Sequence, residues 1–122
     1  MRLPVLFAAS LMLTAAPALA LDSAITLDLG PGDGERTTMR YDCEGLESFD
    51  VHYLNVQPNF LAIVPVEGED LLFVSVLSAS GARYASNQYV WWTRGPEASL
   101  YDLTQGEDAD PIATCMEFTN TP

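Results

Sequence analysis

The chain contains no lysine and a single histidine, His52. Five arginines face seventeen acidic residues, for a net charge of −12. That shortage of positive charge excludes the basic stripe a nucleic-acid binder needs. It also works against attraction to anionic lipid. His52 sits in no catalytic or ligand motif and reads as an ordinary surface or partly buried residue. No G-x-S-x-G, H-E-x-x-H or phosphate loop occurs. Spacing singles out no two of the seventeen acids as a glycosidase pair. No segment holds a helical period with caps, and no repeat or low-complexity stretch appears.

Long apolar runs are also scarce. The one that stands out is N-terminal: Met1-Arg2-Leu3-Pro4, then Val5 to Leu13 interrupted only by Ser10, then the small-x-small triplet Ala18-Leu19-Ala20. This pattern predicts a secretory signal peptide over 1–20, cleaved after Ala20. It is shorter than the roughly 20 apolar residues of a membrane span. No Cys follows the small residues to accept lipid. The expectation is therefore a periplasmic or secreted protein with no membrane anchor. Its charge over 21–122 is −13, since cleavage removes Arg2 and no acid.

Cysteine is limited to Cys43 and Cys115. An even count in an exported chain reads as one disulfide. Closing a loop of about seventy residues contributes roughly 4 kcal/mol in the chain-entropy description.

What is present is short alternation. Ile25, Leu27 and Leu29 share a face, as do Met39, Tyr41 and Cys43, and then Phe49, Val51 and Tyr53. The runs 59–64 and 71–77 are nearly continuously apolar, and further runs occupy 82–86, 89–94, 98–103 and 112–118, separated by Gly-, Pro-, Asn- and Asp-rich turns. Hydrophobic residues make up 48% of the chain, enough to fill a core despite the charge. Evenly spaced short strands predict an all-β fold, a small antiparallel barrel of about eight strands with one disulfide. Closure would leave no exposed edges. The domain is expected over 37–122, after an N-terminal extension at 21–36.

Two acidic turns, Glu67-Gly68-Glu69-Asp70 and Glu107-Asp108-Ala109-Asp110, offer oxygen ligands for Ca²⁺ but match no EF-hand or nonapeptide loop. They read as solvated charges at loop tips. No metal and no cofactor is expected. The chain is expected to be a monomer or a weak homo-oligomer.

The densest signal lies in 78–101, which holds both Trp residues. It reads as a hairpin about Asn87, with Tyr84 facing Val90, Ala82 facing Trp92 and Ser80 facing Arg94. Ser80 and Arg94 each adjoin a glycine, Gly81 and Gly95, where the backbone can turn sharply. A hydroxyl and a guanidinium would then share one barrel rim. The plainer alternative pairs Arg94 with a local acid such as Glu97.

Ser80-Gly81-Ala82-Arg83-Tyr84, Trp91-Trp92-Thr93-Arg94-Gly95 and Glu97-Ala98-Ser99-Leu100 together resemble the signature of the bacterial inhibitors of C-type lysozyme, in the membrane-bound and periplasmic branches of that family. Tyr41-Asp42-Cys43-Glu44-Gly45 and Cys115 resemble the family's early and late Cys segments, so the likeness spans about 41–118. The resemblance implies an eight-stranded barrel, no enzymatic activity, and a C-type lysozyme as partner. It also implies that Ser80 enters the lysozyme cleft and hydrogen-bonds the catalytic carboxylates, helped by a basic residue at Arg94. The family usually carries Lys there; Arg can hold a carboxylate bidentately, with a bulkier fork. Gly81, Arg83 and Tyr84 are further binding candidates. A periplasmic barrel for a small or cationic ligand, with a Trp lining an internal pocket, is the competing expectation.

Overall fold

Alternation along most runs, and nearly continuous apolar runs at 59–64 and 71–77, give each strand a face to bury, and eight such strands bury it by curling on themselves. The computed structural model describes residues 3–5, 10–18 and 24–118. The expected cleavage point after Ala20 lies outside them. The strands are β1 (Glu35–Cys43), β2 (Phe49–Val56), β3 (Asn59–Val66), β4 (Glu69–Val76), β5 (Ala82–Ser86), β6 (Tyr89–Arg94), β7 (Glu97–Asp102) and β8 (Ala113–Glu117). Each pairs antiparallel with its neighbour, and β1 pairs with β8 to close the barrel. The first strand of the barrel begins at Glu35.

The seam between β1 and β8 is short, running from Tyr41↔Glu117 to Cys43↔Cys115. The two cysteines of that last pair form the disulfide, with Cα atoms 4.0 Å apart. The bond therefore ties the first strand to the last where few ladder pairs hold them.

Inward positions fill the interior. Tyr41, Val51, Ala62, Val64, Phe73, Tyr84, Trp91, Ala98 and Leu100 are all buried in one cluster. Trp91 lies at its centre, wholly buried, edge-on to Tyr41 at 5.1 Å between ring centroids. Its Nε1–H donates to the Tyr53 hydroxyl (2.9 Å), which shares a hydrogen bond with the Tyr41 hydroxyl (2.8 Å). A polar chain through an apolar core is tolerable because each member has a partner. The interior is occupied by side chains, which removes the internal pocket that the small-ligand reading needs.

Those tyrosines set an alkaline limit. Burial raises the pKa of Tyr41, Tyr53 and Tyr84 above the ordinary value of 10.0. The folded state then holds phenolic protons more tightly than the unfolded chain. Their contribution is fully present below pH about 10 and is lost as pH rises beyond it. A titration of phenolate absorbance should show these tyrosines ionising together with loss of near-ultraviolet circular dichroism. Independent ionisation of all five tyrosines near pH 10 with the fold intact would contradict the packing described.

The outer face of β2–β4 is unusually apolar. Leu54, Val56, Leu61, Ile63 and Leu72 point away from the core, and Ile25, Leu27 and Leu29 line the same groove. Residues 25–29 alternate as a strand would, yet they form none. The reason is closure: with β1 joined to β8, no edge is left to pair with. The alternating residues instead lie along the sheet's outer surface. The chain passes tightly there, since a Cβ at Gly34 would stand 3.1 Å from Val56 Cγ2. Leu61 is only 7% exposed although it faces outward.

Candidate functional site

β5 and β6 form the hairpin that carries the signature. Their register is Ser86↔Tyr89, Ala85↔Val90, Tyr84↔Trp91, Arg83↔Trp92 and Ala82↔Thr93. The turn is therefore the two-residue Asn87–Gln88, with Asn87 in the left-handed region at φ 50°. This shifts the expected register by one residue. Tyr84 faces Trp91 instead of Val90, and Ser80 does not pair across the ladder with Arg94.

The shift decides which side chains are displayed. Tyr84 and Trp91 point inward and are buried, so Tyr84 supports the hairpin from below and presents little surface of its own. Its ring lies 5.8 Å from that of Tyr53. Arg83, Trp92 and Arg94 point outward. Ser80, Gly81 and Arg94 are exposed, whereas Arg83 and Trp92 are half-buried.

Ser80 and Arg94 do come together, and Trp92 is what joins them. The indole Nε1–H donates to the Ser80 carbonyl oxygen at 2.9 Å. The Arg94 guanidinium lies over the same ring, 3.9 Å from its centroid, and Arg83 lies farther out at 5.8 Å. Guanidinium on indole is a favourable cation–π contact. Arg94 faces Glu97 across the β6–β7 turn, but the one ion pair among the described residues is Arg40–Asp50. The alternative, local pairing with Glu97, is thus replaced by stacking. Tyr101 packs beside Trp92 at 6.5 Å, and Ser99, directly opposite Trp92 on β7, is buried beneath it.

Two turns shape the rim. Gly95, at φ 56°, opens the two-residue Gly95–Pro96 turn, where a tight hairpin asks for positive φ. Gly81 has φ 66° and sits against β6. A Cβ there would collide with the Thr93 carbonyl oxygen and stand 2.9 Å from Arg94 Cγ. The Ser78 hydroxyl donates to the Gly81 carbonyl (3.1 Å), closing the loop on itself. Gly81→Ala is expected to cost at least about 1–2 kcal/mol from the left-handed backbone alone. It should also push Arg94 off its perch. Denaturant midpoints check the first effect; an unchanged midpoint would show that the loop relaxes freely.

Beside this rim the segment after β7 folds back over the barrel wall. Asp102 caps a short 3₁₀ turn, Leu103–Gln105, accepting from the Thr104 hydroxyl (2.6 Å) and backbone N–H (3.0 Å). Those bonds, chiefly the hydroxyl's, lower the Asp102 pKa. The segment leaves a groove lined by Arg83, Val90, Trp92, Tyr101, Glu107 and Asp108. Trp92, Tyr101 and this groove lie outside the site expected from the motif. Alternation alone could have found them: once Trp91 is placed inside, Trp92 and its β7 neighbour Tyr101 must face out.

The other sequence candidates lie elsewhere. His52 accepts or donates at Nδ1 to the Thr38 hydroxyl (2.8 Å) on the outer wall of β1–β2. Among the described residues, no group of three His, Cys, Asp or Glu is placed to hold a metal ion.

The barrel's interior is packed, and Ser80, Trp92 and Arg94 stand together on its outer rim. Residues 41–109 match the family described as membrane-bound lysozyme inhibitor of C-type lysozyme, and the chain belongs to that family. A protein of that name from Pseudomonas aeruginosa is 50% identical over 91 residues, covering 71% of each chain. One from Cupriavidus necator is 46% identical over 79 residues, covering 64% of this chain and 63% of its own length. The crystal structure of Pseudomonas aeruginosa MliC in complex with hen egg white lysozyme superposes with a TM-score of 0.66 at 39% identity, covering 82% of this chain and 99% of that one.

Proposed function

We propose that this chain inhibits C-type lysozyme by placing Ser80 and Arg94 in the enzyme's active-site cleft. The observation that carries the reading is the exposed Ser80–Arg94 pair, gathered on one rim by Trp92. A retaining glycosidase works with one protonated acid and one carboxylate. A serine hydroxyl can donate to the carboxylate and accept from the acid, while a guanidinium balances the negative charge. No bond is made or broken, so inhibition is reversible and competitive. Gly81 shapes the loop, Arg83 flanks it, and Tyr84 acts from beneath. The protein acts as an exported, unanchored barrel after loss of 1–20. Its relatives' names call them membrane-bound, so fractionation of cells, with the N-terminus of the recovered protein read directly, is the test of that part.

Charge supports the pairing. Residues 71–100 hold one acid and two arginines, for +1, whereas 21–70 sum to −9 and 101–122 to −5. A basic enzyme is steered by the acidic surround, and its acidic cleft meets the one stretch that is not negative. Titrating the mature protein into a lysis assay with a C-type lysozyme is expected to abolish lysis near equimolar ratio. The association rate should fall as salt rises. Undiminished lysis at several-fold molar excess would overturn the proposal.

A further inference from the structure

We infer that Trp92 is a positioning residue, an outward-facing clamp that holds the Ser80 loop and the Arg94 guanidinium in the geometry needed for inhibition. The inference rests on the inhibitory reading above and deepens it.

The two groups it joins come from different places in the chain. Ser80 precedes β5 in an exposed loop, and Arg94 is the last residue of β6. No ladder pair links them, because β5 begins pairing only at Ala82↔Thr93. Left alone, an exposed Ser loop and a long Arg side chain would each sample many arrangements. Binding would then have to order both. Trp92 removes that freedom by using two separate features of one side chain. Its N–H fixes the loop backbone through the Ser80 carbonyl at 2.9 Å, which leaves the Ser80 hydroxyl uninvolved in the clamp. Its ring face supports the guanidinium at 3.9 Å. The ring itself is held, since it packs over buried Ser99 and beside Tyr101 on the adjoining strand.

The clamp also gives a reason for arginine at position 94. A planar guanidinium lies flat on an indole and keeps its donor edge outward, whereas an ammonium is a point charge with no face to stack. Trp92 and Arg94 thus form a matched pair.

Arg94 stacking predicts a signature in the uncomplexed protein. Its side-chain methylene protons should be shifted upfield by the indole ring current, and the shift should vanish in Trp92→Leu. In the lysozyme titration, Trp92→Leu is expected to weaken inhibition about 10- to 100-fold. Trp92→Phe keeps a ring but lacks the N–H, so it should lose less, about 3- to 10-fold. In an Arg94→Ala background, Trp92→Leu should cost much less than in the wild type, because half of its purpose is gone. In a Trp92→Leu background, Arg94→Lys should cost nothing further. Equal losses from Trp92→Leu in both Arg94 backgrounds would show a merely structural role and overturn the clamp. So would absence of the upfield shift in the wild type. Should Trp92→Leu fail to fold, Trp92→Phe with and without Ser80→Ala supplies the comparison: it lacks the N–H that holds the Ser80 loop, so its loss should largely disappear in the Ser80→Ala background, and an undiminished loss there would overturn the clamp. A wild-type protein that shows the ring-current shift but fails to inhibit would instead sink the lysozyme reading and leave the geometry standing.

Discussion

Replacing Ser80 and Arg94 together by Ala is expected to weaken lysozyme inhibition by about a hundredfold or more, with the melting temperature lowered by only about 2–8 °C. The size follows from the contacts removed. A hydrogen bond to a charged group is worth about 1.5–3 kcal/mol. Breaking one partner of a desolvated charge pair at an interface costs about 2–5 kcal/mol, because the other charge is left unpaired. Two such losses amount to roughly 3.5 kcal/mol at the low end, and each 1.4 kcal/mol is tenfold in Kd. Stability should hold because neither side chain contributes to the core: both residues are exposed. Arg94 gives up one stacking contact, worth about 0.5–1 kcal/mol at an exposed site. The single variants separate the roles. Arg94→Ala and Ser80→Ala should both act mainly through faster dissociation, since the acidic surround that steers a basic enzyme is left in place, and Arg94→Ala should cost more because it leaves a desolvated carboxylate unpaired. A double variant that inhibits like the wild type would place the inhibitory contact elsewhere on the barrel.

How much of this arrangement is legible in the sequence depends on which physical rule governs each residue. The strands are legible because a half-buried β-strand must alternate, and the expected runs at 82–86 and 89–94 coincide with β5 and β6. Alternation also separates His52 from its core neighbours Val51 and Tyr53. Closure was predicted from strand count and is observed. The misleading case is Ile25–Leu29, where a true alternation produces no strand. Its apolar side chains have a surface to cover, but its backbone has no partner, and pairing is a property of the whole sheet that a local pattern cannot carry. The hairpin register is a second such case. A turn centred on Asn87 and a turn of Asn87–Gln88 differ by one residue, and a one-residue slip exchanges the two faces. That slip hid the place of Tyr84 in the core. It also credited the meeting of Ser80 and Arg94 to strand pairing, when an indole between them brings it about. The candidate residues were legible as a motif; the contact that assembles them was not, since it depends on which of two adjacent tryptophans faces out.

Trp91→Ala should destabilise the barrel by about 3–5 kcal/mol, the range for removing a large aromatic side chain from a packed core. Trp91 is wholly buried, so the variant opens a cavity between Tyr41 and Phe49, whose rings lie 5.1 and 6.0 Å from its own. It also removes the donor to the Tyr53 hydroxyl, leaving a buried polar group with one partner fewer. A domain of this size has about 5–15 kcal/mol of net stability in total. The loss is therefore a large share of it, and at about 4–8 °C per kcal/mol it lowers the melting temperature by roughly 12 °C or more. The disulfide between β1 and β8 limits how far the unfolded chain can expand, so the oxidised variant should still fold at low temperature. Reduction on top of Trp91→Ala should unfold it. Trp91→Phe keeps most of the volume and should fall between variant and wild type. These measurements separate neighbouring tryptophans into two jobs. The inner variant should lose stability and, wherever it remains folded, retain inhibition, because the rim is built from Trp92, Arg94 and the Ser80 loop on the opposite face of the strand. The outer variant should lose inhibition and keep its fold. A Trp91→Ala protein that melts within a few degrees of the wild type would contradict the core described here, since a barrel this small has no second layer to take up the loss.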